Sequence, residues 1–214
     1  MIKPLGDSAL LVELGNEINL EVNQRVHALN ALLQANIIAG VVETVPAYCT
    51  LLIHYEPELL TFAQTKLWAE AQLARLSNSF ERKTRHVEVP VNYNGLDLES
   101  VATAKGISTA DVIQIHSERE YTVYMMGFTP GFPYMGTLDE RLVMPRLETP
   151  RILVRAGTVA IAGSQTGIYP LDSPGGWQLI GWTPLKLFDP TNDAPFLFSS
   201  GDTVKFTPSE DDYA

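Results

Sequence analysis

The chain is short of reactive and metal-binding side chains. Of its 214 residues only Cys49 is a cysteine, which excludes a disulfide framework and a thiolate zinc cluster within one chain. The four histidines, His27, His54, His86 and His116, show no HExxH or HxH spacing, so a metal site would need ligands from distant positions. Basic residues are also scarce, 15 against 25 acidic ones. The resulting net charge of −10 has the wrong sign for coating nucleic acid or an anionic membrane. No apolar run reaches the length of a membrane span. Asp7 and Glu13 interrupt the short hydrophobic start, and no basic segment precedes it; the pattern predicts a cytoplasmic chain. GxxxxGK[ST], GxGxxG and GxSxG are all missing, so a P-loop, a dinucleotide fingerprint and a nucleophile elbow have no local support.

What remains is an ordinary globular composition, 45% hydrophobic and 19% charged, with a core-sized length. Glycine and proline are unevenly placed. Residues 127–184 hold nine of 15 glycines and seven of 14 prolines, whereas residues 1–84 hold three of each. That shift predicts a helix-containing first part, 1–84, and a turn-rich, mostly β second part, 85–214. In the first part the spacing predicts a strand at Ser8–Leu14, a helix over 20–35 and strands at Val41–Val45 and Thr50–Tyr55. A second helix follows over 59–77, and His86–Val91 alternates as a strand. This β-α-β-β-α-β order is the ferredoxin-like pattern. Two short helices are expected within 96–117, with Ser100 and Ser108 as N-terminal signals and Gly106 between them. Beyond Tyr121 come short strands, YTVYMMGF, RILVRAG, TVAIAG, WQLIGW, LKLF and TVKFT, whose spacing predicts a barrel or sandwich. The acidic end, Glu210 to Asp212, reads as a solvated tail.

Three segments of the second part attract functional attention. Gly127–Gly136, GFTPGFPYMG, concentrates Phe128, Phe132 and Tyr134 in a proline-stiffened loop. It suits an aromatic wall for a small ligand or partner, and equally a plug for the end of a barrel. Arg141–Arg155 carries Arg141, Arg146, Arg151 and Arg155 with Glu148 as the only acid, a local excess of positive charge in an acidic chain. Guanidinium groups capture carboxylate or phosphate, although for any one arginine pairing with Asp139, Glu140 or Glu148 on a solvated face is the simpler reading. Arg146 and Arg151 each follow a proline, which fixes the preceding backbone and helps aim the side chain. The third segment, GSQTGIYPLDSPGGWQLIGW (163–182), sets Gln165, Thr166, Tyr169, Ser173, Trp177 and Trp182 among five glycines. Such residues suit hydrogen bonding to an amide or carboxylate, and tight turns alone would also explain the glycines. His116 ends the last expected helix just before the glycine-rich block, where its ring could face these loops.

Taken in order, GFTPGFPYMG, MPRLETPR and AGTVAIAGSQTGIYPLDSPGGW closely resemble the 5-oxoprolinase B-subunit family, also described as of the allophanate hydrolase subunit 1 type. LGDSALLVELG and VVETVPAY extend the resemblance over essentially the whole chain. It implies an α+β protein with a ferredoxin-like N-terminal domain followed by a cyclophilin-like β-barrel domain. It also implies work with the cyclophilin-like C subunit and the A subunit of 5-oxoprolinase, opening the lactam of 5-oxoproline to glutamate with ATP as co-substrate of the complex. His116, Arg146 and Arg151 match the family's recurrent motif, and because an activated lactam carries anionic oxygens that need charge stabilisation and proton transfer, these three are the expected catalytic positions. Phe128, Phe132, Tyr134, Gln165, Thr166, Tyr169, Ser173 and Trp177 are the expected substrate contacts, with no metal or biotin site. Arg155 stands where the family commonly has proline, and Trp182 where it commonly has arginine. The family also includes a KipI-type inhibitor of a sensor histidine kinase, and related domains serve urea and allophanate chemistry; both are alternatives to the enzyme component.

Overall fold

The computed structural model describes residues 1–76 and 84–210; Ser77 of the expected second helix and Asp211 and Asp212 of the expected tail lie outside them. The chain divides into two compact units, Met1–Lys83 and Thr84–Ala214. The first contains β1 (Ile2–Pro4), β2 (Ala9–Glu13), α1 (Leu20–Ala35), β3 (Val41–Pro46), β4 (Thr50–Tyr55) and α2 (Phe62–Leu73). Both helices start at side-chain caps that satisfy otherwise orphaned N–H groups. Asn19 accepts from the N–H groups of Glu21 and Val22, and Thr61 forms a reciprocal box with Gln64. The strands form an antiparallel sheet in the order β1-β2-β4-β3. Alternate residues such as Leu10, Val12, Leu51 and Ile53 point into a core shared with Val26 and Leu33 of α1.

The second unit contains β5 (His86–Val91), α3 (Leu98–Lys105), α4 (Thr109–Ser117), β6 (Glu120–Met126), β7 (Pro133–Gly136), β8 (Arg151–Val154), β9 (Thr158–Ala162), β10 (Gln165–Ile168), β11 (Ser173–Gly175), β12 (Gln178–Trp182) and β13 (Thr203–Pro208). Seven of these strands form one sheet, β12-β9-β10-β7-β6-β13-β5. Its two ends nearly meet. The Asn92 N–H donates to the Trp182 carbonyl at 2.9 Å and the Trp182 N–H returns the bond at 2.8 Å, so the sheet is barrel-like and almost closed. β8 and β11 form a separate two-stranded ribbon. The interior is filled by residues such as Val123, Met135, Ile161, Ile180 and Phe206, with Val101 of α3 and Val112 of α4 packed against them.

The whole is therefore a mixed α/β protein with four helices and a barrel-like sheet among the described residues, and three details depart from expectation. His86–Val91, read as the strand completing a ferredoxin-like first domain, instead pairs in parallel with β13 over six residues. There it buries Val89 and Val91 in the barrel core, and Arg85 just before it grips buried Asp202 at 2.5 Å. In the first unit the place beside β2 is held by β1. The LKLF run forms no strand beyond a bridge between Phe188 and Phe196. Ser100 does not cap α3; its hydroxyl donates to the Asp97 carbonyl at 2.8 Å. Ser108 and Gly106 act as expected, Ser108 in a capping box with Asp111 and Gly106 as a left-handed C-cap at φ 67°.

Candidate functional site

The three segments that stand apart in the sequence converge on one cavity of about 350 Å³ in the second unit. Phe128, Phe132 and Tyr134 come from the first segment, Arg146, Leu147 and Pro150 from the second, and Tyr169 and Pro174–Trp177 from the third. Phe132 is the hub. Its ring meets Tyr134 at 4.8 Å, Tyr169 at 5.3 Å, Trp177 at 5.4 Å and Phe128 at 5.7 Å between centroids. The steep angles to Phe128, Tyr169 and Trp177, 81–85°, are the edge-to-face arrangement aromatic quadrupoles favour. Phe128 itself is exposed and adopts φ 68°, a left-handed conformation that costs a bulky residue energy and turns the loop sharply at the cavity.

Backbone hydrogen bonds fix Arg146 more tightly than Pro145 alone would. Gly163 N–H donates to the Met144 carbonyl at 2.6 Å, Gln178 Nε2 to the Pro145 carbonyl at 3.0 Å, and Leu147 N–H to the Gly176 carbonyl at 2.7 Å. The guanidinium carbon lies 6.0 Å from the Trp177 ring centroid, over its face, within cation–π range. Among the described residues no carboxylate stands within ion-pair distance of it. Two of the other arginines do pair with acids: Arg141 holds Asp139 at 2.9 Å, as the sequence allows, and Arg151 holds Asp97 at 2.6 Å, a partner the sequence does not suggest. Burial pushes the Tyr134 and Tyr169 hydroxyls upward, while Arg146, and for Tyr169 the Trp177 N–H, pulls them partly back. Both phenols are therefore protonated donors at neutral pH. A cation beside two O–H donors in an aromatic pocket is suited to a small, partly apolar anion.

Five expected site residues do not line this cavity. His116 is wholly buried, ringed by Tyr93, Tyr121 and Phe206. Thr166 Oγ1 donates to the Ala160 carbonyl at 3.1 Å, so it accepts from His116 Nε2 at 2.9 Å, and Nδ1 accepts from the Tyr93 hydroxyl at 2.7 Å. His116 and Thr166 thus serve as a satisfied polar pin through the barrel core, and the expectation that the ring faces the loops is corrected. Arg151 stands behind the wall. Its Nη1 reaches the Trp177 carbonyl at 3.4 Å, and the other oxygen of its partner Asp97 accepts from Leu179 N–H at 2.6 Å. It braces the backbone at Trp177, between β11 and β12. Gln165 pairs in the β10–β9 ladder. Ser173 sits on β11 next to Pro174, its hydroxyl oxygen buried without a hydrogen-bond partner among the described residues.

The sequence reading missed Leu147 as a wall residue and Asp97 as its support. Nothing local marks Asp97, which lies 54 positions from Arg151. Trp182 packs away from the cavity, donating from Nε1 to the Ala156 carbonyl at 2.8 Å. Replacing Arg151 with methionine strands a largely buried carboxylate, and since the arginine is a quarter exposed the expected cost is about 2–3 kcal/mol. Urea unfolding of Arg151→Met and Asp97→Asn checks it; parent-like midpoints would remove the pair's structural role.

Comparison with known proteins follows the same lines. The model of the carboxyltransferase domain, subdomain C and D, matches residues 1–198. The 5-oxoprolinase B subunit of Bacillus subtilis (strain 168) is 44% identical over 226 residues, covering 99% of this chain and 94% of that protein. The crystal structure of TTHA0988 superposes with a TM-score of 0.86 at 38% identity, covering 99% of this chain and 41% of that one. The urea amidolyase of Saccharomyces cerevisiae (strain ATCC 204508 / S288c) is 27% identical over 243 residues, covering 97% of this chain but 13% of that protein.

Proposed function

The chain belongs to the 5-oxoprolinase B-subunit family, and on that premise we propose that it is the component of an ATP-dependent 5-oxoprolinase complex that binds the lactam in the cavity beside Arg146. The single observation that carries this reading is the Arg146 guanidinium held over Trp177 without a carboxylate partner, next to two phenolic donors. 5-Oxoproline is a five-membered ring bearing one carboxylate and one amide. The carboxylate suits Arg146, the ring suits Phe132 and Trp177, and the amide oxygen suits a tyrosine hydroxyl.

Hydrolysis breaks the amide C–N bond and leaves an amine and a second carboxylate; cleavage of ATP to ADP and phosphate supplies the driving force. No P-loop motif occurs in the sequence, so in this reading part of the ATP site lies on a partner, the A or C subunit of a cytoplasmic complex. Support for a multi-part assembly comes from the larger polypeptides that contain the same fold, of which the matched region is 41% in TTHA0988 and 13% in urea amidolyase. The test is ATP-dependent glutamate release by the complex assembled with the A and C subunits. Losing a charge-assisted contact of about 1.5–3 kcal/mol predicts that Arg146→Ala raises the KM for 5-oxoproline roughly 10- to 100-fold. Arg146→Lys should recover part of that. An Arg146→Ala complex with parental KM would overturn the assignment.

A further inference from the structure

A carboxylate at a helix N-cap ordinarily accepts from the first N–H groups of its own helix. Asp97 holds that position on α3, yet among the described residues its side chain makes no such bond. Both oxygens are committed to distant partners. Oδ1 accepts from Arg151 Nη2 at 2.6 Å, and Oδ2 from the Leu179 N–H at 2.6 Å. The Asp97 N–H adds a bond to the Leu179 carbonyl at 2.8 Å. The residue thus forgoes the stability of a cap and grips β12 at a point 82 positions along the chain.

The gripped segment is the one that carries Arg146. Residues 176–179 are held on one side by Asp97, directly at Leu179 and through Arg151 Nη1, which donates to the Trp177 carbonyl at 3.4 Å. With their other groups they hold residues 145–147. The Gly176 carbonyl accepts from Leu147 N–H at 2.7 Å, Gln178 Nε2 donates to the Pro145 carbonyl at 3.0 Å, and the Trp177 ring lies under the Arg146 guanidinium. A displacement of the 177–179 backbone is therefore passed to both neighbours of Arg146 and to the ring it stands on. Asp97 and Arg151 themselves lie outside the lining of the cavity. A largely buried ion pair adds little net stability over an apolar pair of the same volume. A carboxylate with one oxygen on a guanidinium and the other on a backbone N–H does, however, fix direction.

We infer that Asp97 is a positioning residue for the anion site: through Arg151 and the 177–179 backbone it holds Arg146 over Trp177, and so governs the affinity for the substrate carboxylate without touching it. The inference rests on the lactam-binding role proposed above for Arg146. A purely structural role predicts that affinity recovers wherever stability does, and the double variant Asp97→Asn/Arg151→Met separates the two. It removes the stranded charge that each single change leaves buried, and the asparagine oxygen can still accept from the Leu179 N–H. Its urea midpoint should therefore lie nearer the parent's than that of either single variant, while the Trp177 carbonyl has lost its donor.

The test measures KM and kcat for 5-oxoproline in the complex assembled with the A and C subunits. With Arg146 present the double variant is expected to raise KM about 5- to 20-fold and to change kcat less, since a small misplacement of a binding group suffices for such a loss. In an Arg146→Ala background the same two substitutions should raise KM by no more than about twofold further, because the group they position is gone. Gln178→Met releases Pro145 from the same backbone without touching the ion pair, and should raise KM about 3- to 10-fold; it decides the question if the double variant does not assemble. Parental KM in the deciding variant, where Arg146→Ala alone does raise KM, overturns this inference and leaves the functional reading standing. So does a rise repeated in full in the Arg146→Ala background, or an effect confined to kcat. An Arg146→Ala complex with parental KM overturns the inference together with the reading it rests on.

Discussion

Gly175→Ala is expected to lower the unfolding temperature and to empty the cavity of function at once. A Cβ on Gly175 would stand 2.2 Å from the Tyr169 hydroxyl and 2.7 Å from two of its ring carbons. Tyr169 cannot simply swing aside: it is 1% exposed and its ring is set edge-on against Phe132 at 5.3 Å. Its hydroxyl also receives the Trp177 N–H, so moving the ring breaks a hydrogen bond that fixes the Trp177 wall. Overpacking of this kind costs about 1–3 kcal/mol, and the lost hydrogen bond adds about 1 kcal/mol. In a chain of this size that corresponds to a drop in Tm of about 5–15 °C. Because displaced Tyr169 intrudes on the cavity, the KM of the assembled complex for 5-oxoproline should rise more than tenfold. Tyr169→Phe removes the atom that collides most severely. The Gly175→Ala/Tyr169→Phe double variant should therefore be less destabilised than the sum of the two single changes. A purely additive cycle would show that the glycine is required for some other reason than this contact.

The cavity was legible in the sequence because its walls are made by short segments whose glycines, prolines and aromatic residues constrain the backbone locally. Phe128, Phe132, Tyr134, Arg146, Tyr169 and Trp177 come from three such segments and meet in one place. Residues whose roles depend on distant partners were not legible. Arg151 looks like Arg146 in sequence, each after a proline, and only the fold reveals Asp97 behind one and open cavity beside the other. The alternation of His86–Val91 correctly announces a strand, but alternation carries no address. β13, more than a hundred residues later, decides which sheet it joins. His116 fails for a related reason: its position before the glycine-rich block says nothing of Thr166 and Tyr93, which take both ring nitrogens.

That burial makes His116 the origin of a specific acid sensitivity. Desolvation lowers its pKa from 6.5 to about 3, so the folded chain keeps the ring neutral under conditions where the unfolded chain protonates it. A histidine depressed in this way contributes its full stability above pH 6.5. The contribution is lost as pH falls from there toward 3, by about 1.4 kcal/mol per pH unit once the unfolded ring is charged. At pH 5 the expected loss is about 2 kcal/mol. The carboxylates Asp139 and Asp189, held down to about 2 by Arg141 and Lys186, lose their contribution mostly below pH 4.5, outside this window. Urea unfolding at intervals between pH 7 and pH 4.5 should show the slope. In His116→Gln it should be largely gone, although that variant starts less stable at pH 7 because the glutamine amide cannot satisfy both Tyr93 and Thr166 as the ring does. Protonating the ring would make Nδ1 a second donor facing the Tyr93 hydroxyl that now donates to it, so acid breaks the pin that joins α4 to β10 through the barrel core. A parent and a His116→Gln chain with the same slope would show that His116 titrates freely in the fold.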